Sequence, residues 1–96
     1  MSLSASDIEA RTQQLLPEMT LLIIQGLNLP VAAADVDPDE PLYGGALGLD
    51  SIDILEIALE VNKRYKVQLK ADDNNAAIFA SLRTLSRYVV EQQSGT

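Results

Sequence analysis

The sequence predicts an all-α fold: a small bundle of three main helices plus one short helix, with a long loop between helices one and two. Apolar residues recur at helical spacing in three segments, and no segment alternates apolar and polar residues as a half-buried strand does. A length of 96 residues suits one domain with a single core. We therefore expect residues 1–96 to form one domain, with 1–17 as an N-terminal extension of the first helix or a separate turn and 93–96 as a flexible tail.

The first predicted helix ends at Gly26. Ser6 and Glu9 have the spacing of a capping box, in which each side chain accepts a hydrogen bond from the backbone of the other residue. Pro17 interrupts the segment, because it lacks an N–H and its ring opposes the preceding turn. The sequence predicts either a kink at Pro17 or a helix that restarts with Pro17 in its first turn. The residues at helical spacing are Ile8, Leu15, Met19, Leu22 and Ile23.

A long connection follows, from Gly26 to Leu49, and contains three prolines and three further glycines. A loop of this length is uncommon in a small domain and usually has a function. We expect Leu42 and Tyr43 to anchor it in the core.

Two motifs in this connection predict neither a metal site nor a phosphate site. Residues 35–46, DVDPDEPLYGGA, begin with acids at alternating positions, as a calcium loop does. Glu40 and Ala46 occupy the sixth and twelfth positions, however, where an EF-hand loop has Gly and Glu. Residues 44–48, GGALG, lack the preceding strand and the following Gly-Lys-Ser/Thr of a phosphate-binding loop. The glycines are expected only to let the loop turn into a helix.

The second predicted helix runs from Ser51 to Tyr65 and has three different faces at 100° per residue. The core face consists of Ile54, Ile57, Ala58, Val61 and Tyr65. An adjacent acidic stripe consists of Asp50, Asp53, Glu56 and Glu60. A third sector, opposite the core, consists of Ile52, Leu55 and Leu59, and we expect at least Ile52 and Leu59 to be partly exposed.

The last part of the chain is predicted to contain a short helical turn near Ala76–Ala80 and a final helix. Ser81 is the candidate N-cap of that final helix. The residues expected to point inward are Leu82, Leu85, Tyr88 and Val89.

The composition provides few catalytic groups. The chain has no cysteine and no histidine, so it lacks a thiol nucleophile, the commonest general base and the commonest metal ligand. We therefore expect no catalytic residues, no metal site and no enzymatic activity.

The charge balance restricts the partners. Fourteen acidic and seven basic residues give a net charge of −7, which disfavours nucleic acid and favours partners with basic docking surfaces. The longest apolar run, Leu21–Ile24, is far shorter than the roughly 18 residues of a membrane span. Met1–Asp7 has no basic segment and no apolar run follows it, so no signal peptide is indicated. We expect a monomeric cytoplasmic protein that does not bind membranes.

Three segments carry a resemblance to a known family. Residues 46–69, ALGLDSIDILEIALEVNKRYKVQL, resemble the central segment of acyl carrier proteins, in which an Asp-Ser-Leu motif opens the second helix. Asp50-Ser51-Ile52 matches that motif, with isoleucine in place of leucine. The upstream DVDPDEPLYGGALG resembles the long first loop of the family, and FASLRTLSRYV resembles the entry to its last helix. The likeness covers residues 18–92.

The resemblance implies that Ser51 is the attachment point of 4′-phosphopantetheine, which a phosphopantetheinyl transferase transfers from coenzyme A with Mg²⁺. Asp50 and Ile52 complete the cofactor-binding motif. A phosphodiester at this position would meet the positive end of the helix dipole and free backbone N–H groups. Asp50 is the better cap, which leaves Ser51 available. The arm supplies the thiol that the chain lacks and carries acyl groups as thioesters between enzymes.

The resemblance also implies that the second helix docks the transferase and the acyl-loading, condensing and acyl-transfer enzymes. We expect the acids to set the orientation and the apolar side chains to strengthen the contact. The docking residues expected are Asp50, Asp53, Glu56, Glu60, Ile52, Leu55 and Leu59.

The chain departs from the family at the end of this helix. The second helix commonly stays acidic to its end, whereas Asn62, Lys63 and Arg64 replace part of that run here. Docking should therefore concentrate near Ser51, and a specialised lipid or polyketide pathway is as compatible with the sequence as primary fatty-acid synthesis.

Other functions remain open. An aminoacyl carrier, for D-alanyl or peptidyl groups, shares the fold and the arm but differs in its loading enzyme, and the acidic stripe favours acyl groups over it. An unmodified helical adaptor would need no arm. An enzyme is disfavoured, because no base, nucleophile and electrostatic stabiliser are brought together in the sequence.

Overall fold

The computed structural model of the chain describes residues 4–42, 48–68 and 77–94. Helix α1 spans Ala5–Gly26, α2 spans Ser51–Tyr65 and α3 spans Leu82–Ser94. Two short 3₁₀ turns, Ala33–Asp35 and Ile78–Ala80, lie in the connections. Across these three described ranges there is no β-strand, and an isolated bridge joins Pro41 and Ser81. The prediction of an all-α bundle with three main helices is confirmed, and α2 has the predicted bounds.

Helix α1 begins earlier than the sequence predicted. Its N-cap is Ser4, whose Oγ accepts a hydrogen bond from the N–H of Asp7 at 3.2 Å. The N–H of Ile8 donates to the carbonyl of Ser4 at 3.0 Å, so the first turn is already closed at Ser6. The predicted capping box of Ser6 and Glu9 is therefore wrong, because Ser4 forms the equivalent cap two residues earlier.

The predicted restart of the helix at Pro17 is also wrong, since α1 continues through Pro17 without ending. An internal proline removes one backbone hydrogen bond and costs about 3 kcal/mol in an isolated helix. Buried residues on both sides of Pro17 outweigh this cost, because they pack α1 against the rest of the bundle. Residues 5–17 are consequently part of α1. The buried residues of α1 are Thr12, Leu16, Met19, Thr20, Leu22 and Ile23.

The core lies between the three helices, with α1 and α3 making the most extensive contact. The predicted core face of α2 is confirmed, with Ile54, Ile57, Ala58 and Val61 buried and Tyr65 packed against them. All four residues predicted to point inward from α3 pack in the core cluster.

The long connection between α1 and α2 is fixed to the start of α3. Leu42 is buried, as predicted, and its N–H donates to the carbonyl of Ala80 at 3.3 Å. Tyr43, the second predicted anchor, lies outside the described residues. Because Leu42 and the Pro41–Ser81 bridge lie next to α3, the connection crosses the bundle before it reaches α2.

The prediction of a flexible tail over residues 93–96 is wrong for its first two residues. Helix α3 continues to Ser94, so Gln93 and Ser94 are helical. Arg87 and Glu91, one turn apart, form an ion pair with a 3.1 Å Nε–Oε1 distance, which supports this last part of the helix. Glycine, which commonly ends a helix, first occurs in this region at Gly95.

None of the helices in the described ranges is long and apolar enough to cross a membrane.

Candidate functional site

Two aspartates hold the start of α2 in a reciprocal capping box. The side chain of Asp50 accepts a hydrogen bond from the N–H of Asp53 at 3.0 Å. The side chain of Asp53 accepts one from the N–H of Asp50 at 3.1 Å. Gly48 precedes the box with a φ of 65°, in the left-handed region that glycine adopts at no steric cost. Leu49 is buried and fixes the entry of the chain into the helix.

Ser51 is the first residue of α2 and its side chain is exposed. The capping bonds come from Asp50 and Asp53, so the Ser51 hydroxyl is not used as a cap. The N–H of Ile54 donates to the carbonyl of Asp50 at 3.0 Å, which begins the regular helical pattern. The N–H groups of Ser51 and Ile52 precede that pattern and have no acceptor within the helix. The expectation that Asp50 caps the helix is confirmed, and the Ser51 side chain is exposed beside that cap.

This geometry fits the phosphodiester that the resemblance implies. An exposed hydroxyl, two backbone N–H groups without helical acceptors and the positive end of the α2 dipole occur together. A Cβ built on Gly48 would meet no atom of the described residues within 4 Å, so the described residues leave the space beside this glycine open. Ser51 would hold the group covalently, and the amides of Ser51 and Ile52 could stabilise its negative charge.

The third sector of α2 is exposed, as the sequence predicted. Ile52, Leu55 and Leu59 all present large apolar side chains to solvent. Together they form a line along the side of α2 that is opposite its buried face.

The four acids of the predicted docking stripe have different environments. Asp50 and Asp53 are engaged in the capping box. Glu60 is half-buried and lies against the end of α1, where a Cβ added to Gly26 would approach its Cγ to 3.3 Å. Glu56 is exposed. Sequence periodicity placed all four on one stripe but could not distinguish capping and interhelical contacts from free charge.

The basic residues at the end of α2 also differ from one another. Arg64 bridges to α1 through a 3.2 Å contact between its Nε and Glu18 Oε1. Lys63 lies 4.0 Å from Glu60 and is largely exposed. The Tyr65 hydroxyl is buried near Glu18 and Arg64, but within the described part of the chain it forms no hydrogen bond of good geometry. This burial, together with the negative charge of Glu18, raises the pKa of Tyr65 to about 12.

A cluster around Arg83 was not foreseen from the sequence. Its Nε donates to Asp39 Oδ1 at 2.7 Å, and its Nη1 lies 3.9 Å from Glu9 Oε1. The hydrogen bond to Asp39 raises the pKa of Arg83. The backbone N–H of Arg83 also donates to the carbonyl of Pro38 at 3.0 Å. Arg83 therefore holds the connection before α2 against α3 and α1. The sequence shows only that Arg83 is basic and that Asp39 and Glu9 are acidic, and it does not indicate that these distant residues meet.

Comparison with known families assigns the chain to a family. The model of the family described as phosphopantetheine attachment site matches residues 24–89. No curated protein and no solved structure gives a significant match. The matched segment contains all of α2, including Ser51, and most of α3. Domains of this family carry covalently attached 4′-phosphopantetheine and work with a phosphopantetheinyl transferase and partner enzymes. Because the match covers well over half of the chain, the protein belongs to the family of phosphopantetheine attachment domains.

Proposed function

We propose that this phosphopantetheine carrier is an acyl carrier protein, with the arm attached to Ser51. The observation that supports Ser51 most directly is its position: it is the exposed first residue of a helix whose cap is formed by two other side chains. The arm supplies a terminal thiol, on which acyl groups are held as thioesters. The chain itself contains no thiol that could take this role.

In this proposal each residue at the start of α2 has a separate task. Asp50 and Asp53 hold the first turn rigid, so the Ser51 oxygen has a fixed position relative to the helix. On modification that oxygen gains a bond to phosphorus and loses its proton, while coenzyme A releases its nucleotide half. The amides of Ser51 and Ile52 then face the phosphodiester. No residue of the chain is assigned a catalytic role, because the transferase and the partner enzymes perform the bond-making steps.

Acyl groups are favoured over aminoacyl groups by the overall charge. A net charge of −7 suits partners with basic docking surfaces. Two of the acidic residues, Asp50 and Asp53, lie at the start of the helix that carries the arm. We extend the proposal to a monomeric cytoplasmic carrier that serves fatty-acid synthesis or a specialised lipid or polyketide pathway. Its partners would contact α2 through Asp50, Asp53, Glu56, Glu60, Ile52, Leu55 and Leu59.

The test is an intact-mass measurement after incubation with coenzyme A, Mg²⁺ and a broad-specificity phosphopantetheinyl transferase. The expected result is a mass gain of one phosphopantetheine, located at Ser51 by peptide mapping. A chain that stays unmodified, or that is labelled at another serine, contradicts the assignment.

A second measurement separates the two classes of carrier. The modified protein is offered to an acyl-activating enzyme with a panel of fatty acids, and to amino-acid adenylating enzymes with amino acids. Thioester formation with fatty acids is expected. Loading with amino acids alone would identify an aminoacyl carrier.

A further inference from the structure

We propose that residues 38–42 of the long connection form a strap that opens and closes over the start of α3 as one unit, and that Arg83 holds it closed. Opening uncovers Leu42 and the first turn of α3, while α1, α2 and the rest of α3 keep their packing. The strap is a conformational device of the connection and goes beyond the proposed carrier function. Three observations point to it.

The internal structure of the strap is the first observation. The N–H of Asp39 donates to Asp37 Oδ1 at 2.9 Å, and the N–H of Glu40 donates to the carbonyl of Asp37 at 3.1 Å. The two prolines of the strap have no N–H and a fixed φ, which stiffens the segment. Of the strap amides, which all lie in the described range, that of Leu42 donates to the turn leading into α3, at Ala80. The strap can therefore leave α3 and keep its own shape.

The small number of attachments is the second observation. At one end of the strap the Leu42 side chain is buried in the core. At the other end Arg83 makes two kinds of contact, because its backbone N–H donates to the carbonyl of Pro38 at 3.0 Å and its side chain binds Asp39. The side-chain contact is forked, with Nε 2.7 Å from Oδ1 and Nη2 3.5 Å from Oδ2. Arg83 is thus the residue whose loss frees this end of the strap.

The position of Arg83 in α3 is the third observation. Arg83 is the second residue of α3, whose first turn contains no acid. The positive end of the helix dipole disfavours a cation there. Its carboxylate partners come from other elements: Asp39 from the strap and Glu9 from α1, the latter at 3.9 Å. Arg83 is unfavourable for α3 by itself and favourable with the strap closed, and such a local conflict is typical of a functional position.

The charges make the strap sensitive to salt. The side chains of Arg83 and Asp39 are 32% and 64% exposed, so added salt screens their attraction. The whole chain carries a net charge of −7, and salt also screens its self-repulsion, which stabilises the fold. Salt should therefore loosen the strap while it stabilises the bundle. These opposite effects distinguish opening of the strap from unfolding of the domain.

The test is native-state hydrogen exchange of the full chain, followed residue by residue by NMR. The N–H groups of Leu42 and Arg83 join the strap to the start of α3. The N–H groups of Leu85 and Ile54 donate within α3 and α2, both at 3.0 Å, and report on the helices. In the wild type, the protection factors of Leu42 and Arg83 should be at least about tenfold below those of Leu85 and Ile54, because the strap opens without the helices.

Variants test whether Arg83 and Asp39 act together. Asp39→Asn and Arg83→Gln should each lower the protection factor of Leu42 by about fivefold, and the double variant should lower it no further. Asp35→Asn is the matched control, with the same change in charge in the same connection. Arg87→Gln is a second control, because it removes an exposed ion pair one turn later in α3. Both controls should stay within about twofold of the wild type.

Two further measurements separate strap closure from helix stability. Arg83→Gln should not lower the protection of Leu85, since the first turn of α3 loses a disfavoured cation. Raising NaCl from about 50 to about 500 mM should lower the protection of Leu42 relative to Ile54 by about threefold in the wild type and leave this ratio unchanged in Arg83→Gln. The same change in salt should raise the Tm of both proteins.

Four results would overturn the inference. Equal protection of Leu42 and Ile54 in the wild type would show that the connection opens only when the domain unfolds. Equal effects of Asp35→Asn and Asp39→Asn would assign the change to net charge. A loss of protection at Leu85 as large as that at Leu42 in Arg83→Gln would give Arg83 a role in α3 alone. Salt that protects Leu42 as much as Ile54 would show that the Arg83–Asp39 contact does not hold the strap closed.

Discussion

Helices α2 and α3 begin with the same local device but present opposite surfaces. Both starts carry a reciprocal capping pair three residues apart. In α2 the pair is Asp50 and Asp53. In α3 it is Ser81 and Thr84: the N–H of Ser81 donates to Thr84 Oγ1 at 2.9 Å, and the N–H of Thr84 donates to Ser81 Oγ at 3.2 Å. The next residue is exposed in α2, where it is Ser51, and buried in α3, where it is Leu82.

The surroundings explain this difference. At α3, Thr84 Oγ1 also donates to the carbonyl of Ile78 at 2.9 Å, and Ser81 forms the bridge to Pro41. The start of α3 is thus fixed both by the long connection and by the short turn that precedes the helix. At α2 the described contacts come from the two capping aspartates and from the buried Leu49 behind them. A capping pair therefore shows only that a helix starts; whether a reactive hydroxyl is available there depends on packing around it.

The largest difference between the two helix starts should come from replacing Ser51 and Ser81 with alanine. Ser51→Ala should abolish the mass gain on incubation with the transferase, with the fold retained, because Asp50 and Asp53 still cap α2. Ser81→Ala should leave labelling intact and lower the free energy of unfolding by about 1 kcal/mol, since it removes a cap. Intact mass and urea unfolding measure the two properties. Labelling that depended on Ser81 would contradict the assignment of roles.

The first apolar residue of each helix, Leu82 in α3 and Ile52 in α2, should contribute differently to the free energy of unfolding. Leu82 is buried in the core, so Leu82→Ala should cost about 2–5 kcal/mol of unfolding free energy. Ile52→Ala should change the free energy of unfolding by less than about 0.5 kcal/mol, because its side chain is already in water. Urea midpoints of the two variants, measured at the same pH, check this. Similar losses at both positions would mean that Ile52 is buried in solution.

Removing a member of each capping pair should produce a smaller difference in the free energy of unfolding. Thr84→Val leaves the N–H of the half-buried Ser81 pair without its acceptor and should cost about 1–3 kcal/mol. Asp53→Ala, at the exposed pair, should cost about 0.5–1 kcal/mol, whereas Asp53→Asn keeps an acceptor oxygen and should cost less.

The Asp53 variants also separate capping from docking. A loss of transferase binding in Asp53→Asn with unchanged stability would show that its charge contacts the partner directly. Equal binding by Asp53→Asn and the wild type would leave Asp53 with the capping role alone.

The features predicted correctly from the sequence are those set by neighbouring residues. The bounds of α2, its buried face and the exposure of Ile52 and Leu59 follow from helical periodicity, which is a local property. The restart at Pro17 was wrong because buried residues on both sides of it keep α1 continuous. The contact of Glu60 with Gly26 joins residues far apart in the chain, so periodicity could not reveal it.

In the candidate site, too, local features could be predicted from the sequence and long-range contacts could not. That Ser51 opens α2 and that Asp50 caps it could be predicted, because both depend on residues within one turn. The Arg83–Asp39 contact joins residues 44 positions apart and could not be predicted from one sequence without knowledge of the packing.

The smallest expected effect concerns the far end of α2, where Tyr65 contrasts with the exposed start of the helix. Burial of its hydroxyl, with Glu18 nearby, raises the pKa of Tyr65 to about 12 from the ordinary 10.0, so the folded protein holds this proton more tightly than the unfolded chain. The stabilisation is fully present below pH 10 and should be lost as the pH rises from 10 to 12. Tyr65→Phe should flatten this part of the stability profile in urea unfolding at pH 9, 10 and 11. At neutral pH it should be neutral or slightly stabilising, since the buried hydroxyl forms no hydrogen bond of good geometry with the described residues. A Tyr65→Phe profile as steep as the wild type would show that this hydroxyl is accessible to water.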